Sequence, residues 1–186
     1  MTDDVEDRGA GCVAALLIGV VAARADETGF QPAQPQKEHE WLRQLVGEWE
    51  SEVECAVDPA KPPQKTKGTE SGRLVGELWV VLENRGEFMG RPFTGVLTLG
   101  YDPERKKFIG TWCDSMSTHL WQYEGTLDAS GKILTLESEG PCPTGRQVRV
   151  RETIEIEGRD HKVFTSKVEI DGKWQTGMTI QYRRKS

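Results

Sequence analysis

The densest group of side chains that could do chemistry lies between Asp114 and His119. This segment reads Asp-Ser-Met-Ser-Thr-His, so it brings together a carboxylate, hydroxyls and an imidazole. A hydrolase uses such groups for nucleophilic and acid–base catalysis. However, no glycine-flanked serine elbow is present, and adjacency in sequence is not the geometry of a catalytic triad. We therefore interpret the segment as a loop whose Asp and Ser side chains cap backbone amides.

Metal and haem chemistry would need histidines at suitable positions. The three histidines are His39, His119 and His161, and a zinc site needs at least three protein ligands. No pair of them has a useful strand spacing, so we predict neither a metal nor a cofactor. His119 shares strand parity with Trp121 and Tyr123, and this leaves open a role as an axial haem ligand.

Three cysteines follow the N-terminal region: Cys55, Cys113 and Cys142. Their spacing fits no zinc pattern. In an oxidising compartment one pair could form a disulfide, and the sequence does not say which pair. Cys55 and Cys113 lie in strand-like runs, so both are predicted to be small buried side chains.

The elements that must position these groups change period at Gly47. Before it, the apolar residues of 41–46 recur at helical spacing and predict a short helix, with His39 on its polar side. After it, residues 49–57 alternate with glutamates, which predicts a strand with one wet face. The alternation continues to the C-terminus between turn residues such as Asp171-Gly172. The further predicted strands span 66–74, 77–88, 92–101, 107–114, 118–127, 132–139, 146–157, 161–170 and 173–183.

About ten short strands joined by tight turns favour antiparallel neighbours. Because each strand has one wet face, the other face must close over a core, as it does in a barrel or a sandwich. A Greek-key sandwich would need long crossovers, and few of the connections are long. The predicted fold is therefore an all-β, antiparallel, up-and-down barrel of about ten strands with one short N-terminal helix, over residues 37–186.

Gly47-Glu48-Trp49 opens the first predicted strand directly after the helix. This placement resembles the start of lipocalin-like barrels, in which the glycine lets the chain bend into the sheet and the tryptophan plugs the closed end. A basic residue of the last strand usually covers that tryptophan. Arg184 continues the parity that runs from Trp174 to Tyr182 on the inner face. We therefore predict that Arg184 stacks on Trp49, and that Gly47, Trp49 and Arg184 close the barrel.

Six segments carry a wider pattern. They are His-Glu-Trp-Leu at 39–42, Leu-Val-Gly-Glu-Trp at 45–49, and the segments 87–95, 100–102, 108–118 and 182–185. Together they resemble the bacterial domain-of-unknown-function 1579 family over nearly all of 37–185. That family is grouped with the calycins, which implies a lipocalin-like barrel, and it has no established activity. Cys113 departs from the isoleucine-like residue expected there, and 143–175 resemble the family only loosely.

Aromatic residues in the predicted strands suggest what the barrel holds. Such residues usually fill cores, but a barrel of eight to ten strands is wide enough to hold one small ligand. Glu152 shares the inward parity of Val150 and Ile154, and a buried carboxylate needs a partner or a ligand. A β-bulge would place it outside instead. The candidate cavity residues are Phe88, Phe93, Trp112, Asp114, His119, Trp121, Tyr123 and Glu152.

The N-terminal segment resembles a secretory leader. Ala10–Ala23 is an apolar run of 14 residues, too short to cross a bilayer comfortably, and Ala23-Arg24-Ala25 supplies a small-x-small cleavage pattern. The acidic residues before it are atypical of a leader. The expected organisation is a signal peptide at 1–25, a linker at 26–36 and the barrel at 37–186, secreted or periplasmic, with no stable membrane insertion after cleavage.

Charge and fold together narrow the function. The net charge is −6, with 24 basic and 30 acidic residues, and this balance argues against nucleic-acid binding. The favoured hypothesis is a binding barrel for a small, mainly apolar ligand. One alternative is an enzyme that uses Asp114 and His119, with Glu152, at the open end. Another is a structural or interaction module. The ligand and the oligomeric state stay open.

Overall fold

A computed structural model describes residues 31–56, 62–142 and 145–186. Within these ranges the chain forms a helix α1 (Lys37–Leu42), a 3-10 turn (Arg43–Leu45) and ten strands. The strands are β1 (Gly47–Cys55), β2 (Gln64–Val75), β3 (Trp79–Phe88), β4 (Arg91–Asp102), β5 (Lys107–Asp114), β6 (Trp121–Leu127), β7 (Ile133–Pro141), β8 (Gln147–Gly158), β9 (His161–Ile170) and β10 (Lys173–Arg184). The predicted leader at 1–25 and the linker up to residue 30 lie outside the described residues.

The strands form a closed barrel in which each strand pairs with its neighbours in sequence. All pairs are antiparallel, and β1 pairs with β10 to close the sheet. The prediction of an up-and-down barrel with a short N-terminal helix is therefore confirmed. The predicted strand at 118–127 was too long at its start, because the backbone N–H of His119 bonds the Ser117 side chain (3.0 Å) in a loop before β6.

The two ends of the barrel differ because α1 covers only one of them. The Trp41 indole donates a hydrogen bond to the carbonyl of Gly131 in the β6–β7 turn (2.9 Å), and its ring meets Phe108 edge-on. We call the half next to α1 the closed half. Among the described residues, the largest fully buried apolar side chains are Trp49, Phe108, Leu42, Leu45, Leu82, Leu99, Leu134, Leu136 and Val80. We call the opposite half, near the loops that follow β1, β3, β5, β7 and β9, the open half.

His39 is buried, so the prediction that it lies on the polar side of the helix was wrong. The reason is its role at the start of α1. Its Nδ1 accepts a hydrogen bond from the backbone N–H of Gln36 (2.8 Å), and its ring meets Tyr101 edge-on with 5.7 Å between ring centroids. The imidazole thus caps the helix and fills the space between the helix and β4.

Trp174 lies on the outer face of the barrel, although the sequence parity placed it with the inner residues. A β-bulge in β10 shifts the register between Thr176 and Met178, and a bulge exchanges the faces of the residues before it. Trp174 consequently packs under the guanidinium of Arg151, 4.3 Å from the ring centroid. The residues that follow the bulge keep the predicted inward parity.

Cys113 is exposed, which corrects the prediction that it is buried. It alternates with the inward Trp112 and Asp114 on β5, so its side chain faces out. Cys55 is the last residue of β1; it is half-buried and has a free thiol. Burial there raises the pKa of the Cys55 thiol.

A cavity in the open half as candidate functional site

The open half of the barrel contains a cavity of about 570 Å³. Most of the side chains around it are apolar, and Met89 and Met116 at its rim are 60% and 43% exposed, so the cavity opens to solvent. Its large apolar lining residues are Val53, Leu82, Phe88, Met89, Phe93, Leu97, Trp112, Met116, Trp121, Ile154, Phe164, Met178 and Ile180. The wall has the composition of a small-molecule site.

Six of the eight cavity residues proposed from the sequence line this cavity. They are Phe88, Phe93, Trp112, Asp114, Trp121 and Glu152. Phe93 and Trp112 stack with their ring centroids 6.2 Å apart. The close approach depends on Gly95, because a Cβ there would lie 2.2 Å from the Trp112 ring. Tyr123 and His119 do not line the cavity.

Tyr123 lies behind the wall and supports Glu152. Its side chain is buried and lies close enough to Glu152 for the carboxylate to influence its pKa. Burial, followed by the negative charge of Glu152, raises the pKa of Tyr123. The phenol therefore stays protonated.

His119 does face inward, but it is closed off from the cavity. Its ring meets Trp121 edge-on at 4.8 Å between centroids, and its Nε2 lies against Gly140, where an added Cβ would be 2.6 Å away. The Nε2 atom is buried and has no hydrogen-bond partner. Because His119 is not among the residues that line the cavity, the geometry gives no support to an axial haem ligand here.

Asp114 organises the rim of the cavity. One carboxylate oxygen accepts a hydrogen bond from the Trp112 indole (2.9 Å), and the other accepts one from the backbone N–H of Met116 (2.8 Å). The side chain thus fixes a wall residue and the start of the β5–β6 loop, as the capping interpretation of this segment expected.

Glu152 points into the cavity from β8. It lies opposite Leu136 on β7 and Ser166 on β9, and the Ser166 hydroxyl is 3.4 Å from its Oε1. Burial raises its pKa from 4.5 to about 7, although the hydrogen bonds from Tyr123 and Ser166 act in the opposite direction. The side chain is half-buried and lines the cavity.

A buried polar network forms the floor of the cavity. Lys162 is 2% exposed and pairs with Glu70, which is 3% exposed. The Asn84 side chain donates to the other oxygen of Glu70 (3.1 Å) and accepts a hydrogen bond from the Tyr182 hydroxyl (2.9 Å). Burial lowers the pKa of Lys162, and the charge of Glu70 opposes that effect. The network is satisfied within itself, so it does not call for a ligand charge.

Sequence reasoning missed this network. Lys162 and Glu70 are 92 residues apart, and nothing local links them. The available signal was parity: Lys162 shares the inner face of β9 with Phe164, and Glu70 shares the inner face of β2 with Gly68 and Gly72. Two opposite charges on inward positions of one barrel would have indicated a buried pair.

The closed end below this floor has the arrangement predicted from Gly47, Trp49 and Arg184. The guanidinium carbon of Arg184 lies 4.1 Å from the Trp49 ring centroid, and Lys162 Nζ lies 4.5 Å from it. Arg184 also donates to the carbonyl of Val46 (2.6 Å). Gly47 has φ +121°, and a Cβ there would lie 2.3 Å from the Arg184 guanidinium. Glycine is therefore required for both the backbone and the space.

Among the described residues, no hydrogen bond joins the three side chains that the enzyme hypothesis needs. Asp114 accepts hydrogen bonds from Trp112 and Met116, Glu152 accepts one from Ser166, and neither carboxylate bonds His119. Within the same part of the chain, no group of three or more His, Cys, Asp or Glu residues is placed to hold a metal ion. None of the helices in the described ranges has the length and apolar character needed to span a membrane.

The sequence model of a family described as "Protein of unknown function (DUF1579)" matches residues 34–184. The chain belongs to this family. The resemblance to DUF1579 that was predicted from the sequence is thus confirmed. The match spans the helix, all ten strands and every cavity residue named above. A search of curated proteins found no match.

Several solved structures are similar to this DUF1579 chain. Rv2717c from M. tuberculosis is 16% identical, with a TM-score of 0.62, and the match covers 82% of this chain and 100% of that one. A redesigned β-barrel is 12% identical with a TM-score of 0.43, covering 78% and 95% of the two chains. A structure of EF1p2_mFAP2b bound to DFHBI is 11% identical with a TM-score of 0.45, covering 79% and 98%. The likeness to Rv2717c shows the fold.

Proposed function

We propose that this barrel binds one small, mainly apolar molecule in the cavity of its open half. The observation that carries the proposal is the cavity itself, about 570 Å³ with a mostly apolar, aromatic-rich wall and an open rim. Binding sites for small organic molecules typically measure about 300–1,000 Å³. Removing apolar ligand surface from water against this wall would supply most of the affinity.

A second cleft, of about 460 Å³, lies at the closed end beside Gln44, Gly131 and Arg184. It is a weaker candidate because the Arg184 guanidinium is already engaged by backbone carbonyls of Val46 and Arg159 and by Asp160. The interior cavity has a mostly apolar wall that includes several aromatic residues, with its buried charges at the floor already paired, which is the pattern of a site for an apolar ligand.

Binding can be tested with the neutral apolar probe N-phenyl-1-naphthylamine, whose fluorescence rises in an apolar site. The full chain should bind it, and the Val53→Trp variant should bind at least about tenfold more weakly because the added indole fills the cavity. Val53 lines the cavity, whereas Glu52 is exposed on the outer face of the same strand. Glu52→Trp is therefore the matched control and should bind normally. Absence of probe binding, or equal binding by both variants, would overturn the proposal.

We further propose that the chain is exported and that residues 1–25 are removed as a signal peptide. The support is the apolar run Ala10–Ala23 followed by Ala23-Arg24-Ala25. Expression of the full chain in a Gram-negative host should yield a periplasmic protein whose mass corresponds to a start at Asp26. The Ala25→Arg variant should stay unprocessed. An intact chain in the cytoplasmic fraction would contradict export.

A further inference from the structure

Glu152 is the one charged group of the cavity wall that lacks an opposite charge and lies deep inside the described barrel. Its neighbours in the sheet, Leu136 and Ser166, are uncharged. The Ser166 hydroxyl donates to its Oε1 (3.4 Å), and the hydroxyl of Tyr123 is the other neutral polar group that influences its pKa. Among the described residues, no Lys, Arg or His forms an ion pair with it, in contrast to Glu70 on the cavity floor.

Lys162, the buried cation of the cavity floor, is already paired with Glu70. Lys162 is buried against Glu70 and also contacts the rings of Trp49 and Tyr182 at 4.5 and 4.8 Å. It stands opposite Tyr182 on β10, four positions along β9 from the residue that faces Glu152. The Lys162–Glu70 pair of the floor therefore has no net charge. The charge of Glu152 is not balanced by it and is available to a ligand that enters the cavity.

Glu152 also has unused hydrogen-bonding capacity. A carboxylate offers about four acceptor positions, and the two hydroxyls occupy part of them. The side chain is half-buried and lines the cavity. Its raised pKa, at about 7, reflects the cost of keeping this charge away from bulk water without a cation. A donor with a positive charge would offset that cost, since charge-assisted hydrogen bonds are the strong ones.

The wall around Glu152 suits a cation with an apolar body. Trp112, Trp121, Phe93 and Phe164 line the same cavity, and aromatic faces attract ammonium groups as well as hydrocarbon. The rim carries a second carboxylate, Asp114. A ligand with its own carboxylate would instead meet like charge at Glu152 and find Lys162 occupied.

We infer that the ligand is a mainly apolar compound with one protonated amine, whose ammonium group donates to Glu152 while its hydrocarbon part packs against Trp112, Trp121 and Phe164. This inference rests on the proposed binding function. It adds a chemical class: apolar amines in preference to neutral alcohols and acids of the same shape.

Three naphthalene compounds of similar size separate charge from shape: 1-naphthylmethylamine, 1-naphthylmethanol and 1-naphthoic acid. Isothermal titration of each into the full chain near pH 8 should show the amine binding at least about tenfold more tightly than the alcohol, and the acid more weakly than the alcohol. Glu152→Gln should remove the preference for the amine and leave the alcohol nearly unchanged. Glu152→Asp, which keeps the charge, should retain part of the preference.

Glu50→Gln is the matched control, because Glu50 is exposed on the outer face of β1 and does not line the cavity. It makes the same change of charge and should leave the preference intact. If the alcohol binds as tightly as the amine, or if Glu152→Gln keeps the preference, the inference fails while binding in the cavity stands. The inference also fails if N-phenyl-1-naphthylamine binds and none of the three compounds does. If that neutral probe does not bind either, the proposed function itself fails.

Discussion

The closed and open halves of the barrel are built from the same strands but are filled differently. In the closed half, Phe108 and Leu134 are 1% and 0% exposed and belong to one packed apolar cluster. In the open half, Phe93 and Trp112 are half-buried and line a cavity of about 570 Å³. An inward-facing position in a strand therefore does not by itself place a residue in a packed core. The presence of α1 and its contact with the β6–β7 turn decides which half is sealed.

The inward charges differ between the halves in the same way. Lys162 and Glu70 are paired at the boundary of the closed half, whereas Glu152 in the open half has only hydroxyl partners. A paired charge can be kept buried because its partner and its hydrogen bonds compensate for lost hydration. This difference suggests that the closed half stabilises the fold and the open half is left available for a ligand.

Breaking the buried pair should have the largest effect on stability. Lys162→Met leaves Glu70 buried without its cation, so the free energy of unfolding should fall by about 3–5 kcal/mol. Urea unfolding monitored by far-UV circular dichroism measures this change. The control is Lys173→Met, at an exposed residue of β10, and it should change stability by less than about 0.5 kcal/mol.

A double variant keeps this prediction informative if the single variant does not fold. Lys162→Met combined with Glu70→Leu removes both charges, and it should recover much of the lost stability. A single variant as stable as the Lys173 control would show that the pair is not what holds the boundary between the two halves.

Matched phenylalanines test the packing difference directly. Phe108→Ala should cost about 3–4 kcal/mol because it opens a void among rigid, fully buried neighbours. Phe93→Ala should cost about 1 kcal/mol because its ring is only half-buried and borders existing space. Thermal unfolding of both variants under one condition makes the comparison. Equal losses at the two positions would contradict the distinction between a filled and a hollow half.

The sequence predicted the barrel because alternation and turn residues are local signals. The contact between Arg184 and Trp49 was predicted from the resemblance to the start of lipocalin-like barrels and from strand parity, which holds at Arg184 because the bulge in β10 precedes it. Trp174 was misplaced because a bulge between it and Met178 exchanges faces. The same rule of strand parity that misplaced Trp174 correctly identified the aromatic residues of the cavity.

The depth of each inward residue could not be predicted. Tyr123 and His119 have the same parity as Trp121, yet only Trp121 lines the cavity. Which ring faces the space and which supports it depends on contacts with other strands, such as that of His119 with Gly140 on β7. The pair of Lys162 and Glu70 was missed for the same reason, because it joins strands far apart in the chain.

Closure of the filled half should be sensitive to a single methyl group. Gly47→Ala introduces a Cβ at φ +121° and 2.3 Å from the Arg184 guanidinium. Backbone strain and the displaced stacking on Trp49 should together cost about 2–3 kcal/mol. Gly177→Ala is the control, because its φ is not in the left-handed region and the nearest atom to an added Cβ is 4.0 Å away. Comparable urea midpoints for the two variants would argue against a closing role for Gly47.

The smallest expected effect concerns the charge of the hollow half and depends on pH. The pKa of Glu152 is raised from 4.5 to about 7 in the folded chain, so the native state holds this proton more tightly than the unfolded state. The contribution to stability is therefore present at low pH and is lost as pH rises through the window from about 4.5 to about 7. The groups around Glu152 are Ser166 on β9, Tyr123 on β6 and Tyr182 on β10, with Glu70 and Asp114 farther across the cavity. Both tyrosines have raised pKa values and stay neutral over this range.

Glu152→Gln removes that titration and keeps the shape of the side chain. Near pH 5 the variant and the natural chain should have similar stability, because Glu152 is then mostly protonated. Near pH 8 the variant should be more stable by about 1–2 kcal/mol, which is less than the full pKa shift would give because the cavity admits water. Urea unfolding of both chains across this range measures the difference, and Glu87→Gln at the exposed rim should show a flat one. If the stability difference between Glu152→Gln and the natural chain also does not change with pH, water in the hollow half must hydrate the carboxylate fully. Glu152 would then differ from the buried Lys162–Glu70 pair in its access to solvent and not in its lack of a partner charge.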